Sequence, residues 1–400
     1  MKPALLFLCH RIPYPPNKGD KIRAYNLLHY LKDKYRVFLG TFVDDKADWE
    51  HIGKLRSWCA DTCFVELKPY QAKIRSLSGL FIGRPLTLPY YYDSLLDMWV
   101  KDIVAHHKIE RLFVFSSSMA QYVMTPVFNN TRRVIDLVDV DSDKWRQFAD
   151  TKPWPFNWIY RREAKRLLSY ESEIASCFDV SIFVSKAEVD LFRQIAPDSA
   201  HKISFIGNGV DAGYFTPEIT FKRPFSSGEE ALVFVGTMDY WPNVDAVVWF
   251  GRKVFPQILA DIPEVRFYIV GRNPVKLVRD MEQIAGIKVT GAVDDVRPYL
   301  QHAAIVLAPM RIARGVQNKV LEAMAMAKPV LVSSPGLTGI EAKSGDDLMV
   351  ANGKDEFYQK AEAMLSNNKE KTLGHNARKR VCSDYAWKDQ LPKIVNLIEG

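Results

Sequence analysis

Short apolar runs rich in β-branched and aromatic residues alternate along the whole chain with longer segments in which apolar positions recur every three or four residues. In the first half, the short runs predict strands near 4–10, 36–43, 62–67, 111–116, 133–138, 179–185 and 203–207. In the second half, they predict strands near 231–236, 265–271, 287–290, 304–308, 329–333 and 347–350. Such alternation of strands and helices is typical of parallel α/β sheets, so we expect two doubly wound, Rossmann-like domains.

The pattern lapses between the two halves. The stretch 211–230 loses its apolar periodicity and gathers Pro217, Pro224 and Gly228, which predicts an interdomain linker. We therefore place the first domain at 1–215, the linker at 216–230 and the second domain at 231–383. A last helix is predicted within 384–400, where apolar residues share one helical face: Trp387, Leu391, Ile394, Val395 and Ile398.

Composition narrows the class of protein. The 400 residues are 48% hydrophobic and 25% charged, which fits two globular domains and excludes a disordered or collagen-like chain. The apolar runs are too short to span a bilayer and the start lacks the pattern of a signal peptide, so we expect a cytoplasmic protein. Five cysteines without a CxxC pair predict neither a disulfide framework nor a zinc site.

The net charge of +7 is modest and forms no dense basic stripe, which argues against nucleic acid as a partner. A cationic bias of this size suits phosphate-bearing ligands or an anionic membrane surface. One segment, 152–166, combines large aromatic residues with cations: Trp154, Phe156, Trp158, Arg161, Arg162, Lys165 and Arg166. It predicts peripheral contact with the inner face of the cytoplasmic membrane, unless the aromatic residues pack inward.

The loop after the first strand is a candidate anion site. It ends in Gly19 at a predicted helix start, with Lys18, Lys21 and Arg23 nearby. Backbone N–H groups at a helix N-terminus favour a bound anion, so a phosphate is one interpretation. The other is that Gly19 serves only the turn.

Two further loops follow predicted strands. The sequence Asn208-Gly209-Val210-Asp211 lies at the carboxyl end of a strand, where α/β sheets bind ligands, although it also fits a plain turn. Gly315 is predicted to open a helix on which Lys319 and Glu322 share a face. That helix end could bind a pyrophosphate, with Lys319 adding charge and Glu322 accepting hydrogen bonds from sugar hydroxyls; the alternative is a solvated Lys–Glu face.

The order and spacing of these features resemble the GT-B glycosyltransferases, and within them the retaining glycosyltransferase family 4. The motifs run through most of the chain: the Gly19 loop, Ser185 with Glu188, Asn208-Gly209-Val210-Asp211, Gly236-Thr237, Ile269-Val270-Gly271, Gly291 with Val293, and Leu321-Glu322-Ala323-Met324-Ala325. Within that family, the segments 136–145, 236–243 and 315–319 are most similar to the sugar transferases associated with PEP-CTERM and exosortase exopolysaccharide loci.

The resemblance implies a GT-B fold, with an N-terminal acceptor domain, a C-terminal helix that crosses back onto it, and a C-terminal domain for a UDP- or GDP-type nucleotide-sugar. It implies retaining transfer to a glycan or polyprenyl-linked acceptor, with no cofactor and no catalytic metal. The catalytic residues that it implies are Glu322, Asp139 and Lys319. The donor contacts that it implies are Gly19, Arg23, Asn208, Gly236, Thr237, Gly271, Val293, Arg314, Gly315, Gln317, Lys319 and Glu322.

The chain departs from the family pattern in three places. Eight residues before Glu322, where the family carries another Glu, this chain has Arg314. A basic pair expected after the first strand of the second domain falls near Thr237 and Asn243, and neither is basic. A histidine that some members carry after the fifth strand is replaced by Asp139.

Arg314 therefore has two interpretations besides a side chain turned to solvent. With Lys319 or Arg311, it could supply the missing positive charge for the pyrophosphate. Alternatively, it selects a donor whose sugar bears a carboxylate, since a guanidinium pairs well with that group.

Two other functions fit parts of the pattern. A non-hydrolysing sugar-nucleotide epimerase also has two Rossmann-like halves, but it requires a set of histidines and carboxylates around the sugar. A nucleic-acid-binding protein requires a stronger basic surface than this chain carries.

Overall fold

The computed structural model describes residues 2–16, 19–150, 153–313, 315–366 and 370–400. The chain divides into two compact units. The first comprises Met1–Gly207 together with Gln390–Gly400, and the second comprises Asn208–Asp389. Within the described ranges, no helix is both long and apolar enough to cross a bilayer.

The first unit is built on a parallel sheet. The strands are β1 (Ala4–Cys9), β2 (Arg36–Val43), β3 (Asp61–Glu66), β4 (Arg111–Phe115), β5 (Arg132–Val138), β6 (Val180–Phe183) and β7 (Ile203–Phe205). They lie in the order β3–β2–β1–β4–β5–β6–β7. Leu5 and Leu8 on the inner strand β1 are fully buried, as expected for a parallel sheet that is covered on both faces.

Helices connect these strands and cover the sheet. Several begin at side chains that cap the helix, such as Asp93, which accepts a hydrogen bond from the Leu95 amide. The helices are α1 (Gly19–Lys34), α2 (Ile52–Arg56), α3 (Pro69–Ser76), α4 (Ser78–Phe81), α5 (Thr87–Tyr90), α6 (Ser94–His106), α7 (Asp141–Asp150), α8 (Phe156–Cys177) and α9 (Lys186–Ile195). Short 3₁₀ segments lie at Lys46–His51, Ser117–Tyr122, Pro126–Phe128 and Pro197–Lys202.

The second unit repeats the architecture with six parallel strands. The strands are β8 (Glu230–Val235), β9 (Val265–Val270), β10 (Ile287–Gly291), β11 (Ile305–Ala308), β12 (Val330–Val332) and β13 (Met349–Val350). They lie in the order β10–β9–β8–β11–β12–β13. The helices are α10 (Trp241–Lys253), α11 (Phe255–Asp261), α12 (Lys276–Arg279), α13 (Arg297–His302), α14 (Asn318–Ala325), α15 (Gly353–Ser366), α16 (Glu370–Asp384) and α17 (Trp387–Glu399), with 3₁₀ segments at Asp280–Gln283 and Pro335–Leu337.

The predicted fold class is confirmed, because both halves are doubly wound parallel sheets. The first segment of the first unit ends at Gly207, somewhat before the predicted boundary at 215. Backbone pairing explains the difference, since the Val210 amide donates a hydrogen bond to the Tyr385 carbonyl at 2.8 Å and so ties this segment to the second unit. Helix α17 begins in the second unit and continues into the first, where Tyr35 donates a hydrogen bond to Glu399 at 2.6 Å.

Candidate functional site

Glycines end three adjacent strands of the second unit. Gly236 follows β8, Gly271 follows β9, and Gly291 ends β10. Gly271 has a φ of +150°, and a Cβ atom on it would lie 1.7 Å from the carbonyl oxygen of Gly236. Only a residue without a side chain permits this approach. The carboxyl edge of the sheet, where such folds bind ligands, is therefore lined by bare backbone.

Asn243 links two of the predicted site residues. It lies in the first turn of α10 and is only 5% exposed. Its Nδ2 donates a hydrogen bond to the Thr237 carbonyl at 3.0 Å, and its Oδ1 accepts one from Lys319 Nζ at 2.5 Å. The amide thus fixes Lys319 against the loop that follows β8. The sequence marked Asn243 as the end of the segment 236–243 and as a position lacking a basic residue, and did not predict its contact with Lys319.

Lys319 and Glu322 lie three residues apart on α14. The Lys319 ammonium is 4.3 Å from the centre of the Phe234 ring and 3.9 Å from Met310 Sδ. Burial lowers the pKa of Lys319 to about 7, although the Glu322 carboxylate opposes this effect. Burial also raises the pKa of Glu322 to about 7, against the effect of Lys319. An anion bound beside Lys319 would restore its full charge.

Helix α14 begins later than predicted. Gly315 is buried with a φ of +59°, so it cannot belong to a right-handed helix, and the first helical residue is Asn318. Gln317 precedes that residue in an extended conformation. Asn208, which is 8% exposed, donates a hydrogen bond from Nδ2 to Asn318 Oδ1 at 3.3 Å. The structure therefore brings Asn208 and Gln317 to the start of the helix that carries Lys319.

The remaining predicted residues of the second unit are less informative. Val293 follows β10 and packs against the unit's core. Arg314 lies outside the described residues. Arg311 was a candidate source of positive charge for a phosphate. It forms a bidentate ion pair with Asp245, in which Nε lies 2.9 Å from the carboxylate.

The two cations Lys21 and Arg23 near the start of α1 pair with buried acids, and Lys18 lies outside the described residues. Arg23 is 1% exposed and donates a hydrogen bond from Nε to Asp136 at 2.7 Å, so it forms a buried ion pair, and its role as a donor contact stays a prediction. Lys21 is likewise buried and pairs with Asp48 at 2.7 Å. The carboxylate of Asp20 lies in the first helical turn, where it supplies the negative charge that a helix N-terminus favours.

Two further predicted site residues lie in the first unit. Gly19 is exposed and is the first residue of α1, and Asp139 is a predicted catalytic residue. Asp139 is half-buried and follows Val138, whose φ of +69° is strained for a β-branched residue. The next amide, of Val140, donates a hydrogen bond to Glu188 at 2.8 Å. Burial raises the pKa of Glu188 to about 7, and the nearby charges of Asp139 and Asp141 add to this effect. Asp139 therefore lies in a turn where carboxylates repel one another.

Comparison with known proteins finds a family match within the second unit. Residues 229–367 match the family model of the glycosyl transferases group 1. Over 365 residues, 86% of each chain, the sequence is 23% identical to a Klebsiella pneumoniae protein described as an uncharacterised 44.6 kDa protein in a cps region.

Solved structures share the fold over nearly the whole chain. Sucrose-phosphate synthase from Thermosynechococcus elongatus superposes with a TM-score of 0.71 at 16% identity, covering 99% of this chain and 98% of that one. Anabaena Alr3699/HepE in complex with UDP and glucose gives 0.67 at 14% identity, covering 99% of each chain. WaaG, a glycosyltransferase involved in lipopolysaccharide biosynthesis, gives 0.69 at 14%, covering 99% of this chain and 100% of that one. The chain therefore has the GT-B fold of these structures, and residues 229–367 within it match the glycosyl transferases group 1 model.

Proposed function

We propose that this protein transfers a sugar from a UDP- or GDP-type donor to a hydroxyl of a glycan or polyprenyl-linked acceptor, with retention and without a metal. The donor class is supported by the Anabaena structures, which hold UDP, UDP with glucose, or UDP-glucose. A role in exopolysaccharide or cell-envelope synthesis, of the kind associated with PEP-CTERM and exosortase loci, is supported by the relative in a cps region.

The observation that carries the proposal is the hydrogen bond between Lys319 and Asn243. It holds a lysine at the glycine-lined edge, beside a helix start. Departure of a nucleoside diphosphate is the difficult step of sugar transfer, and fixed positive charge and N–H dipoles stabilise that leaving group. Lys319 gains full charge when the diphosphate approaches it, so this step does not require a divalent cation.

Glu322 is the proposed partner of a hydroxyl on the donor. It lies one helical turn beyond Lys319, and a carboxylate there accepts hydrogen bonds from ribose or sugar hydroxyls. For retention, the acceptor oxygen bonds to the anomeric carbon on the face from which the phosphate oxygen leaves. The acceptor's proton passes to that phosphate oxygen. No second carboxylate is then required as a nucleophile, unlike in retaining glycosidases. Asp139 remains the proposed catalytic residue of the first unit.

A panel of nucleotide-sugars, incubated with and without candidate acceptors, tests the reaction. We expect release of UDP or GDP that depends on the acceptor, survives EDTA, and is lost in Glu322→Gln. The anomeric configuration of the product, measured by NMR, reports retention. Inversion at C2 of the donor without an acceptor would instead establish an epimerase, and activity restored only by Mg²⁺ or Mn²⁺ would contradict the metal-free step.

A further inference from the structure

Helices α3 and α4 present an apolar face to solvent. The exposed fractions are 76% for Tyr70, 55% for Ile74, 51% for Leu77 and 90% for Phe81. These residues recur at intervals of four, three and four, so they share one face of a nearly continuous helical segment. Gly79 on the same segment is buried. A contiguous apolar patch of this kind on a folded domain indicates an interaction surface.

The start of α8 adjoins this segment. Arg162 donates a hydrogen bond from Nη2 to the Gly79 carbonyl at 2.6 Å. The fully buried Glu163 accepts one from the Leu86 amide at 2.7 Å. Three further aromatic residues just before these contacts in the chain are exposed. They are Trp154 at 80%, Phe156 at 54% and Trp158 at 58%. Residues 68–86 and 153–166 therefore form one region, here called the aromatic–basic surface.

The charge of this surface is predominantly positive, although Lys68 pairs with Glu66 at 3.6 Å and Arg161 with Asp150 at 3.4 Å at its edges. Residues 68–86 include four cations and no acid: Lys68, Lys73, Arg75 and Arg84. Residues 153–166 include four cations and one acid, the buried Glu163: Arg161, Arg162, Lys165 and Arg166. Two copies of this surface brought face to face would repel each other. An apolar centre with a cationic border is complementary to an anionic lipid bilayer, where aromatic rings lie at the headgroup level.

We propose that the aromatic–basic surface binds an anionic membrane, with both segments contributing. Phe81 and the three aromatic residues before and within α8 enter the interface, while Lys73, Lys165 and Arg166 contact lipid phosphates. The sequence predicted only the second segment, 152–166, of which Lys152 lies outside the described residues. The proposal does not rest on the proposed function, because membrane binding is measured without any sugar substrate.

Co-sedimentation of the full chain with phosphatidylcholine vesicles, with and without phosphatidylglycerol, tests the proposal. We expect binding only to the anionic vesicles, and binding that weakens with salt. Phe81→Asp should weaken it roughly tenfold or more, because it replaces an inserted ring with a charge. Val127→Asp, at another exposed apolar residue of the same unit, is the matched control and should bind like the wild type.

Charge reversal provides the second arm. Lys165→Glu should weaken partitioning roughly five- to thirtyfold, whereas Lys108→Glu, an exposed lysine outside the surface, should not. Brominated lipid should quench tryptophan fluorescence less in Trp154→Phe/Trp158→Phe. The proposal is overturned if the wild type does not bind anionic vesicles or if Phe81→Asp binds them as well as Val127→Asp does. It is also overturned if the only effect of Phe81→Asp is to abolish self-association in the absence of lipid. That result would assign the surface to a second copy of the chain.

Discussion

The Lys319 ammonium lies 2.5 Å from the amide oxygen of Asn243. The resemblance to family 4 predicts a basic side chain near position 243, and the chain carries a neutral amide there. A lysine from another helix, α14, reaches this place instead. A hydrogen bond thus holds the Lys319 side chain at the place where the local sequence lacks a basic residue.

Removing this charge should slow sugar transfer. Lys319→Ala is expected to lower turnover roughly 10²–10³-fold, the usual effect of losing a charged contact made in the transition state. Its melting temperature should stay close to that of the wild type. Lys288→Ala, an exposed lysine of β10, is the control. Wild-type kinetics in Lys319→Ala would exclude a role for this residue at the pyrophosphate.

Asn243 should act through Lys319. Asn243→Ala is expected to lower turnover less than Lys319→Ala, and to add little when both residues are replaced, because the amide only positions the ammonium. Kinetics of the two single variants and the double variant measure this coupling. Independent, additive effects would show that Asn243 acts in another way.

Binding of a nucleoside diphosphate should take up protons. Burial lowers the pKa of Lys319 to about 7, so at about pH 8 the free enzyme holds this lysine mostly neutral. A bound diphosphate raises that pKa, and affinity therefore falls as the pH rises above 7. Calorimetry in two buffers of different ionisation enthalpy measures the uptake. Lys319→Met should reduce the proton uptake. The same measurement on Glu322→Gln gives the part of the uptake that belongs to the neighbouring carboxyl group.

Gly271 should tolerate no side chain. A Cβ there would lie 1.7 Å from the Gly236 carbonyl oxygen, so Gly271→Ala forces the backbone apart and should cost roughly 3 kcal/mol of unfolding free energy or more. Gly228, with a φ of +81° and no atom within 4 Å of an added Cβ, is the matched control. Gly228→Ala should cost only about 1 kcal/mol, for the left-handed conformation. Equal losses in urea unfolding would contradict the steric argument.

Arg23 should matter for stability. Arg23→Met leaves the fully buried Asp136 without its cation and should cost about 3–5 kcal/mol. Burial already raises the pKa of Asp136, and without Arg23 it should rise further, so the variant should lose stability as the pH rises. Arg23→Met combined with Asp136→Leu should recover much of the loss. Unfolding curves at two pH values check this, and an unchanged curve for Arg23→Met would contradict it.

The sequence predicts the two sheets well because buried parallel strands are recorded locally, as short apolar runs. The runs at 36–43 and 111–116, for example, correspond to the strands Arg36–Val43 and Arg111–Phe115. The start of α14 was harder to predict from the sequence. Gly315 was expected to open a helix, but its left-handed φ depends on how the loop packs.

Partners distant in the chain could not be predicted. The cations Lys21 and Arg23 looked available beside a helix start, yet their acids, Asp48 and Asp136, lie 27 and 113 residues away. The hydrogen bond between Asn243 and Lys319 gave no signal either, since the two residues lie 76 positions apart. The exposed apolar face around Phe81 was not predicted either. The sequence of an amphipathic helix shows that one face is apolar, but not whether that face packs on the domain or is exposed to solvent.

Helix α17 has a consequence for biosynthesis. Its residues from Gln390 onward belong to the first unit, where Ile394 and Ile398 are buried and Glu399 pairs with Arg111 at 2.7 Å. These residues leave the ribosome only after the entire second unit has been made. The apolar surface that the two isoleucines cover therefore remains in water throughout that interval. The half of the protein that is translated first is thus the half whose folding is completed last.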